Sequence, residues 1–181
     1  MENIIVDPQV SRKKFDREVK NLMNISQELR KKGWLIETTS FPVVRVSFIA
    51  IELKPLVIPL TIDINFTNYN IVPPSVRFLH PVTLEPMFIP GFQLSHEGKP
   101  QKVIIEGHPI TKEPFICLPR VQEYHSHPQH NGDSWDLYRY PDSGCLYYIL
   151  DNIWRYCIKS IKDYQANLRL NNLGYFLEAQ P

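Results

Sequence analysis

Apolar residues recur at spacings of three and four in the first part of the chain: Phe15, Val19, Leu22, Ile25 and Leu29. This spacing places them on one face of an α-helix. Asp7 and Pro8 favour a helix start, because Asp accepts free N–H groups and proline lacks the N–H that the first turn leaves unpaired. Gly33 favours a helix end. We therefore predict a helix over residues 8–32.

A strand-rich pattern follows over residues 34–79. Leu60, Ile62, Ile64 and Phe66 alternate with polar residues, as in a strand with one buried face. The segment 43–53 is rich in β-branched residues, and Pro73-Pro74 precedes another short apolar run. These patterns predict an antiparallel meander of four strands.

Regular periodicity is lost between residues 80 and 140, a stretch that contains all six histidines. Long irregular segments in small domains commonly carry function. Within it, residues 103–106 fit one short strand, and no internal repeat is expected. Helical spacing returns over residues 142–170, with Asp142-Ser143 as the cap. The order predicts a single α+β domain over residues 1–181, with helices packed on an antiparallel sheet.

Composition narrows the function classes. Hydrophobic residues make up 43% of the 181 residues, enough for a core, and Lys+Arg 20 nearly balances Asp+Glu 19. This balance argues against nucleic acid or a membrane surface as partner, and only 7 glycines argue against a phosphate-binding loop. Three cysteines without a signal peptide or apolar span predict a cytoplasmic protein with reduced thiols.

Two stretches resemble motifs of the ubiquitin-conjugating enzyme family, in the family's order. The first is Phe66-Thr-Asn-Tyr-Asn-Ile-Val-Pro73-Pro74, and the second is His108-Pro-Ile-Thr-Lys-Glu-Pro-Phe-Ile-Cys117-Leu118. Trp135 and the helix from residue 142 follow, as in that family. The likeness is to a divergent prokaryotic-type member. It implies the UBC fold, with residues 80–107 as an insertion.

The resemblance implies that Cys117 carries a ubiquitin-like protein as a thioester. Cys117 would take it from an activating enzyme and pass it to an amine of an acceptor protein, without a cofactor. In the family, a basic helix face docks the activating enzyme, which here corresponds to Arg12, Lys13, Lys14 and Arg17. A solvated helix face is the alternative reading of these four residues. Ile110 stands where the family has an asparagine that helps to stabilise the tetrahedral intermediate.

Histidines between Cys117 and Trp135 offer two interpretations. In an extended segment, Glu123, His125 and His127 would share a face. A histidine beside Cys117 could take a proton or bond the oxyanion that Ile110 cannot reach. Alternatively, Cys117, Glu123, His125 and His127 could bind zinc in a catalytically inactive binding module. A solvated loop without chemistry is the third reading.

Other residues receive more ordinary roles. Asp133 is a candidate for orienting or deprotonating the incoming amine, and Trp135 is expected to pack beneath the active loop. Cys145 and Cys157 are expected in the core, since free cysteine is among the most buried residue types. A cysteine hydrolase is disfavoured, because Leu118-Pro119 follows Cys117 where such enzymes begin a helix.

Overall fold

An antiparallel sheet of four strands, in the order β1-β2-β3-β4, forms the centre of the protein. The structure is a computed structural model, and it describes residues 5–87, 93–96, 99–102, 104–105, 107–139, 144–159 and 161. The strands are β1 (Trp34–Ser40), β2 (Val43–Ala50), β3 (Val57–Asn65) and β4 (Ser75–Leu79). The predicted α+β class and four-stranded meander are confirmed.

The alternation in β3 orients its apolar side chains as predicted. Leu60, Ile62 and Ile64 are fully buried. On the other face, Asp63 lies opposite Arg45 of β2 and accepts two hydrogen bonds from its guanidinium, at 2.7 and 2.8 Å. β2 ends at Ala50 rather than continuing to residue 53, because the chain turns there toward Pro55. The register is thus fixed by burial on one face and by an ion pair on the other.

The N-terminal helix is broken, which differs from the single helix predicted over residues 8–32. It consists of α1 (Pro8–Asn24) and α2 (Ser26–Lys31), separated at Ile25, whose φ of −112° and ψ of 13° are not helical. Ile25 is 40% exposed, although it fits the apolar spacing, whereas Leu29 is buried. Gly33 has a φ of +86°, and a Cβ there would collide with the Ile49 carbonyl oxygen. Only glycine therefore suits the turn into β1.

The C-terminal helix is shorter than predicted. It comprises α4 (Cys145–Ile153) and a π-helical turn (Trp154–Ile158), and Ile161 is not helical. The predicted cap, Asp142-Ser143, lies outside the described residues, as does the segment 162–170. Gly144 occupies the N-cap position. Leu146, Ile149 and Ile153 are fully buried, so α4 closes the core over the sheet.

A buried carboxylate caps α4 from another part of the chain. Glu18 of α1 is 1% exposed and accepts hydrogen bonds from the backbone N–H groups of Gly144 at 3.1 Å, Cys145 at 3.4 Å and Leu146 at 3.2 Å. The hydroxyl of Tyr69 donates to the same carboxylate at 3.1 Å. Negative charge at a helix N-terminus is stabilised by the free N–H groups and the helix dipole. Glu18 thereby joins α1, α4 and the segment after β3.

Residues 80–140 contain more regular structure than predicted. Two short hairpins are formed, β5 (Gln93–His96) with β6 (Lys99–Lys102), and β7 (Ile104–Ile105) with β8 (Phe115–Ile116). A single helical turn, α3 (Gln122–His125), and 3-10 turns at Pro128–His130 and Trp135–Leu137 follow. The predicted strand over residues 103–106 is confirmed at its centre, and its two end residues lie outside the described residues.

An internal repeat is present, contrary to the prediction. His80-Pro-Val-Thr-Leu-Glu-Pro86 and His108-Pro-Ile-Thr-Lys-Glu-Pro114 adopt the same loop. In each, the histidine Nδ1 accepts two backbone N–H bonds, from Val82 and Thr83 or from Ile110 and Thr111. The fifth residue of each has positive φ, 59° and 63°. The repeat escapes a search for periodicity because it occurs as only two short copies.

Across the described part of the chain, no helix combines the length and the apolar character needed to cross a membrane.

Candidate functional site

Cys117 lies one residue beyond β8, at the start of the loop that leads to α3. It is exposed, whereas Cys145 and Cys157 are buried in the core, as predicted for those two. Partial burial raises the pKa of the Cys117 thiol. An accessible sulfur with a raised pKa needs a neighbouring base to act as a nucleophile at neutral pH.

The imidazole next to this sulfur belongs to His130. Its Nε2 lies 3.2 Å from the sulfur of Cys117, within hydrogen-bonding distance for sulfur. Pro128 begins a 3-10 turn, and His130 ends it. This turn brings the imidazole to the thiol. An imidazole nitrogen that carries no proton can accept one from a thiol at such a distance.

The His130 ring is held by Tyr124 of α3. The two rings stack with centroids 3.9 Å apart and planes inclined by 21°. The Tyr124 hydroxyl donates a hydrogen bond of 2.5 Å to Oδ2 of Asp133. The Tyr138 hydroxyl lies 2.8 Å from each oxygen of the same carboxylate. Asp133 is thus the acceptor for two phenols.

These hydrogen bonds shift the pKa values of the three groups in opposite directions. The bonds from Tyr124 and Tyr138 lower the pKa of the Asp133 carboxyl. The bond to Asp133 raises the pKa of both phenols. Asp133 therefore stays ionised at neutral pH and both phenols stay protonated, so each keeps the hydrogen that it donates.

His125 links the backbone at Arg120 to the backbone at Asp133, on either side of α3. Its Nε2 accepts the backbone N–H of Arg120 at 3.2 Å, so Nδ1 carries the proton and donates to the Asp133 carbonyl oxygen at 2.9 Å. Burial lowers the pKa of His125. Both ring nitrogens are thus engaged with backbone, and the predicted candidate base holds the loop together in this structure.

His127 and His108 are neighbours of His130: the ring centroids of His127 and His130 are 5.5 Å apart, and those of His108 and His127 are 5.6 Å apart. His127 Nδ1 accepts the backbone N–H of Gln129 at 3.2 Å, and its ring stacks on Phe115 with centroids 5.6 Å apart. His108 is fully buried, and its Nε2 donates to the Glu123 carbonyl oxygen at 3.0 Å, since Nδ1 accepts two N–H bonds. Burial lowers the pKa of His108.

The expected shared face of Glu123, His125 and His127 is wrong, because residues 122–125 form a helical turn instead of an extended segment. The Glu123 carboxylate points into the protein, where it accepts hydrogen bonds from Ser75 Oγ and from the Val76 N–H at 3.2 Å. Burial raises the pKa of this carboxyl. Among the described residues, no group of three His, Cys, Asp or Glu is arranged to hold a metal ion. The Cys117, Glu123, His125 and His127 ligand set is thus not assembled.

The basic residues of α1 do not form one uniform exposed face. Arg12 and Lys13 are exposed, and the Arg12 guanidinium lies 5.7 Å from the Phe41 ring centre. Lys14 is half-buried and its ammonium donates to Asn70 Oδ1. Arg17 is also half-buried. Docking of a partner on this helix stays a prediction.

Trp135 has the packing role predicted for it. It is 8% exposed, and its indole N–H donates to the Asn70 carbonyl oxygen at 2.9 Å. Tyr124 and Tyr138 were not predicted as site residues. The sequence signal for them is weak, because each lies near Asp133 only after α3 and the two 3-10 turns have folded.

Comparison with known proteins places the chain in the Y4jH family. The profile of that family matches residues 6–102 and 96–161, so each matched segment contains one copy of the repeated loop. The chain is 34% identical over 195 aligned residues to the uncharacterized protein y4jH of Sinorhizobium fredii (strain NBRC 101917 / NGR234). The alignment covers 97% of this chain and 95% of that relative.

Proposed function

We propose that this protein is a ubiquitin-conjugating-type carrier that accepts a ubiquitin-like protein as a thioester on Cys117 and transfers it to an amine. The observation that carries the proposal is the pair formed by the exposed Cys117 sulfur and His130 Nε2, 3.2 Å apart. The four-stranded meander with a helix before it and a helix after it agrees with the motifs that resemble that family. Such enzymes carry activated acyl groups on a cysteine.

In the first step, His130 takes the thiol proton and the Cys117 thiolate attacks the thioester carbonyl of the charged activating enzyme. The carbon–sulfur bond to that enzyme breaks, and its departing thiolate takes the proton from His130. The ubiquitin-like protein is then bound to Cys117 as a thioester. No oxidation or reduction is involved, and the acyl group stays activated because a thiolate is a good leaving group.

In the second step, an acceptor amine attacks the Cys117 thioester. An amide bond forms, the bond to Cys117 breaks, and the amine loses a proton to His130 as the Cys117 thiolate leaves. The expected role of His125 or His127 as the compensating base passes to His130 in this proposal. Ile110 is 65% exposed and its backbone N–H is bonded to the His108 ring, whereas the His130 imidazole lies 3.2 Å from the sulfur.

The proposal predicts a covalent adduct in the source cells. Tagged wild-type protein, Cys117→Ser and Cys117→Ala are recovered under denaturing conditions and compared on non-reducing gels and by mass spectrometry. We expect a wild-type adduct that thiol reductants release, a reductant-resistant oxyester on Cys117→Ser, and none on Cys117→Ala. Cys145→Ala, which removes a buried thiol, is the matched control and should keep the adduct. An adduct that persists on Cys117→Ala, or wild type without one, contradicts the proposal.

A further inference from the structure

We propose that Tyr124 is a positioning residue: anchored at Asp133 through its hydroxyl, its ring holds the imidazole of His130 in line with the Cys117 sulfur. The inference deepens the proposed function, because a carrier thiol needs a base in a fixed position.

The stacking fixes the plane of the imidazole. The lone pair of an imidazole nitrogen lies in the ring plane, so a rotation of that plane would turn Nε2 away from the sulfur. The Tyr124 ring covers one face of His130, with ring centroids 3.9 Å apart and ring planes inclined by 21°. At the edge of the His130 ring, Nε2 lies 3.2 Å from the Cys117 sulfur. Tyr124 therefore opposes the rotation that would separate the base from the thiol.

The hydroxyl of Tyr124 fixes the stacking ring in turn. It donates to Asp133 at 2.5 Å, and the backbone of Asp133 is held by the His125 side chain at 2.9 Å. Loss of the Tyr124 hydroxyl would therefore free the ring to turn away from His130.

Tyr138 offers a matched control within the same cluster. Its hydroxyl also donates to Asp133, at 2.8 Å, but its ring lies against His125, with centroids 5.3 Å apart. Tyr124→Phe and Tyr138→Phe thus each remove one hydroxyl from one carboxylate. Only the first releases the ring that stacks on His130.

The experiment measures alkylation of Cys117 by iodoacetamide on the full chain across the pH range. In this reaction the thiolate bonds to the methylene carbon and iodide leaves. A thiolate–imidazolium pair reacts near neutral pH, which gives a shoulder below the main rise at alkaline pH. We expect Tyr124→Phe to lower the rate in the shoulder about threefold to tenfold. The alkaline limit should not change, because it depends on access to the sulfur, and Tyr138→Phe should match wild type.

Equal profiles for Tyr124→Phe and Tyr138→Phe would overturn the proposal. So would a Tyr124→Phe profile whose alkaline limit falls together with the shoulder, since that indicates altered access instead of altered base position. Both changes keep the aromatic ring, and circular dichroism checks that each variant is folded. Iodoacetamide needs no ubiquitin-like partner. The role of Tyr124 can therefore be tested even if the wild-type protein forms no adduct. In the same way, the adduct experiment can be interpreted even if Tyr124→Phe has no effect on alkylation.

Discussion

The sulfur of Cys117 and Nε2 of His130 lie 3.2 Å apart, although the two residues are 13 positions apart along the chain. The contact depends on a folded loop in which α3 and the 3-10 turn at Pro128–His130 reverse the chain direction. A thiol and an imidazole at this distance can generate a thiolate at neutral pH by proton transfer.

Replacement of the base should slow thiol chemistry at neutral pH. We expect His130→Gln to lower the rate of Cys117 alkylation at about pH 7 by roughly tenfold, because the thiolate then forms only by ionisation to solvent. His127→Gln is the control, since His127 stacks on Phe115 and bonds Gln129. The rates are measured with iodoacetamide and intact mass spectrometry. If His127→Gln lowers the alkylation rate and His130→Gln does not, the base is His127 instead of His130.

The two copies of the repeated loop should differ in their contribution to stability. His108→Ala is expected to lower the free energy of unfolding by about 3 kcal/mol, because it leaves the buried Glu123 carbonyl and two loop N–H groups without their partner. His80→Ala removes only bonds within its own exposed loop and should cost about 1 kcal/mol. Urea unfolding measures both. Equal losses would mean that burial of His108 contributes nothing.

Removal of the Glu18 carboxylate should loosen the start of α4. Glu18→Gln loses a charged acceptor for three backbone N–H groups and should lower the free energy of unfolding by about 3 kcal/mol. Glu28→Gln is the control, because the exposed Glu28–Lys31 pair at 2.9 Å should contribute less than about 0.5 kcal/mol. Denaturant titration of both variants provides the comparison. A loss below that of Glu28→Gln would exclude Glu18 as the cap.

Stability should fall as the solution is made mildly acidic. Burial lowers the pKa of His108 and His125 below the ordinary histidine value of 6.5, so the unfolded chain takes up protons before the folded one does. Their stabilising contribution is complete above pH 6.5 and is lost as the pH falls from there toward the folded pKa values.

This pH dependence is measured by urea unfolding between about pH 7.5 and about pH 5.5. His125→Gln removes one of the two titrating rings and should give a shallower slope than wild type. Equal slopes for His125→Gln and wild type would contradict the lowered pKa of His125.

Much of the fold could be predicted from local patterns. The alternation from Leu60 to Phe66 predicted both the strand and its buried face, because burial of one face permits only one register. The break at Ile25 could not be predicted, since its spacing agrees with a continuous helix and its exposure depends on the surrounding packing. The cap of α4 could not be predicted either, because Glu18 belongs to α1, which is distant from α4 in the sequence.

For the site, residue type and motif order were enough to predict the nucleophile candidate, the histidine-rich segment and the acid Asp133. Which histidine meets Cys117 depends instead on how the segment after Cys117 folds. Residues 122–125 form a helical turn, so His125 bonds backbone groups and Glu123 turns inward, while His130 reaches the sulfur. The reason is physical: in a loop without a repeating period, side-chain direction is set by hydrogen bonds and stacking between residues distant in sequence, such as Tyr124, His130 and Asp133.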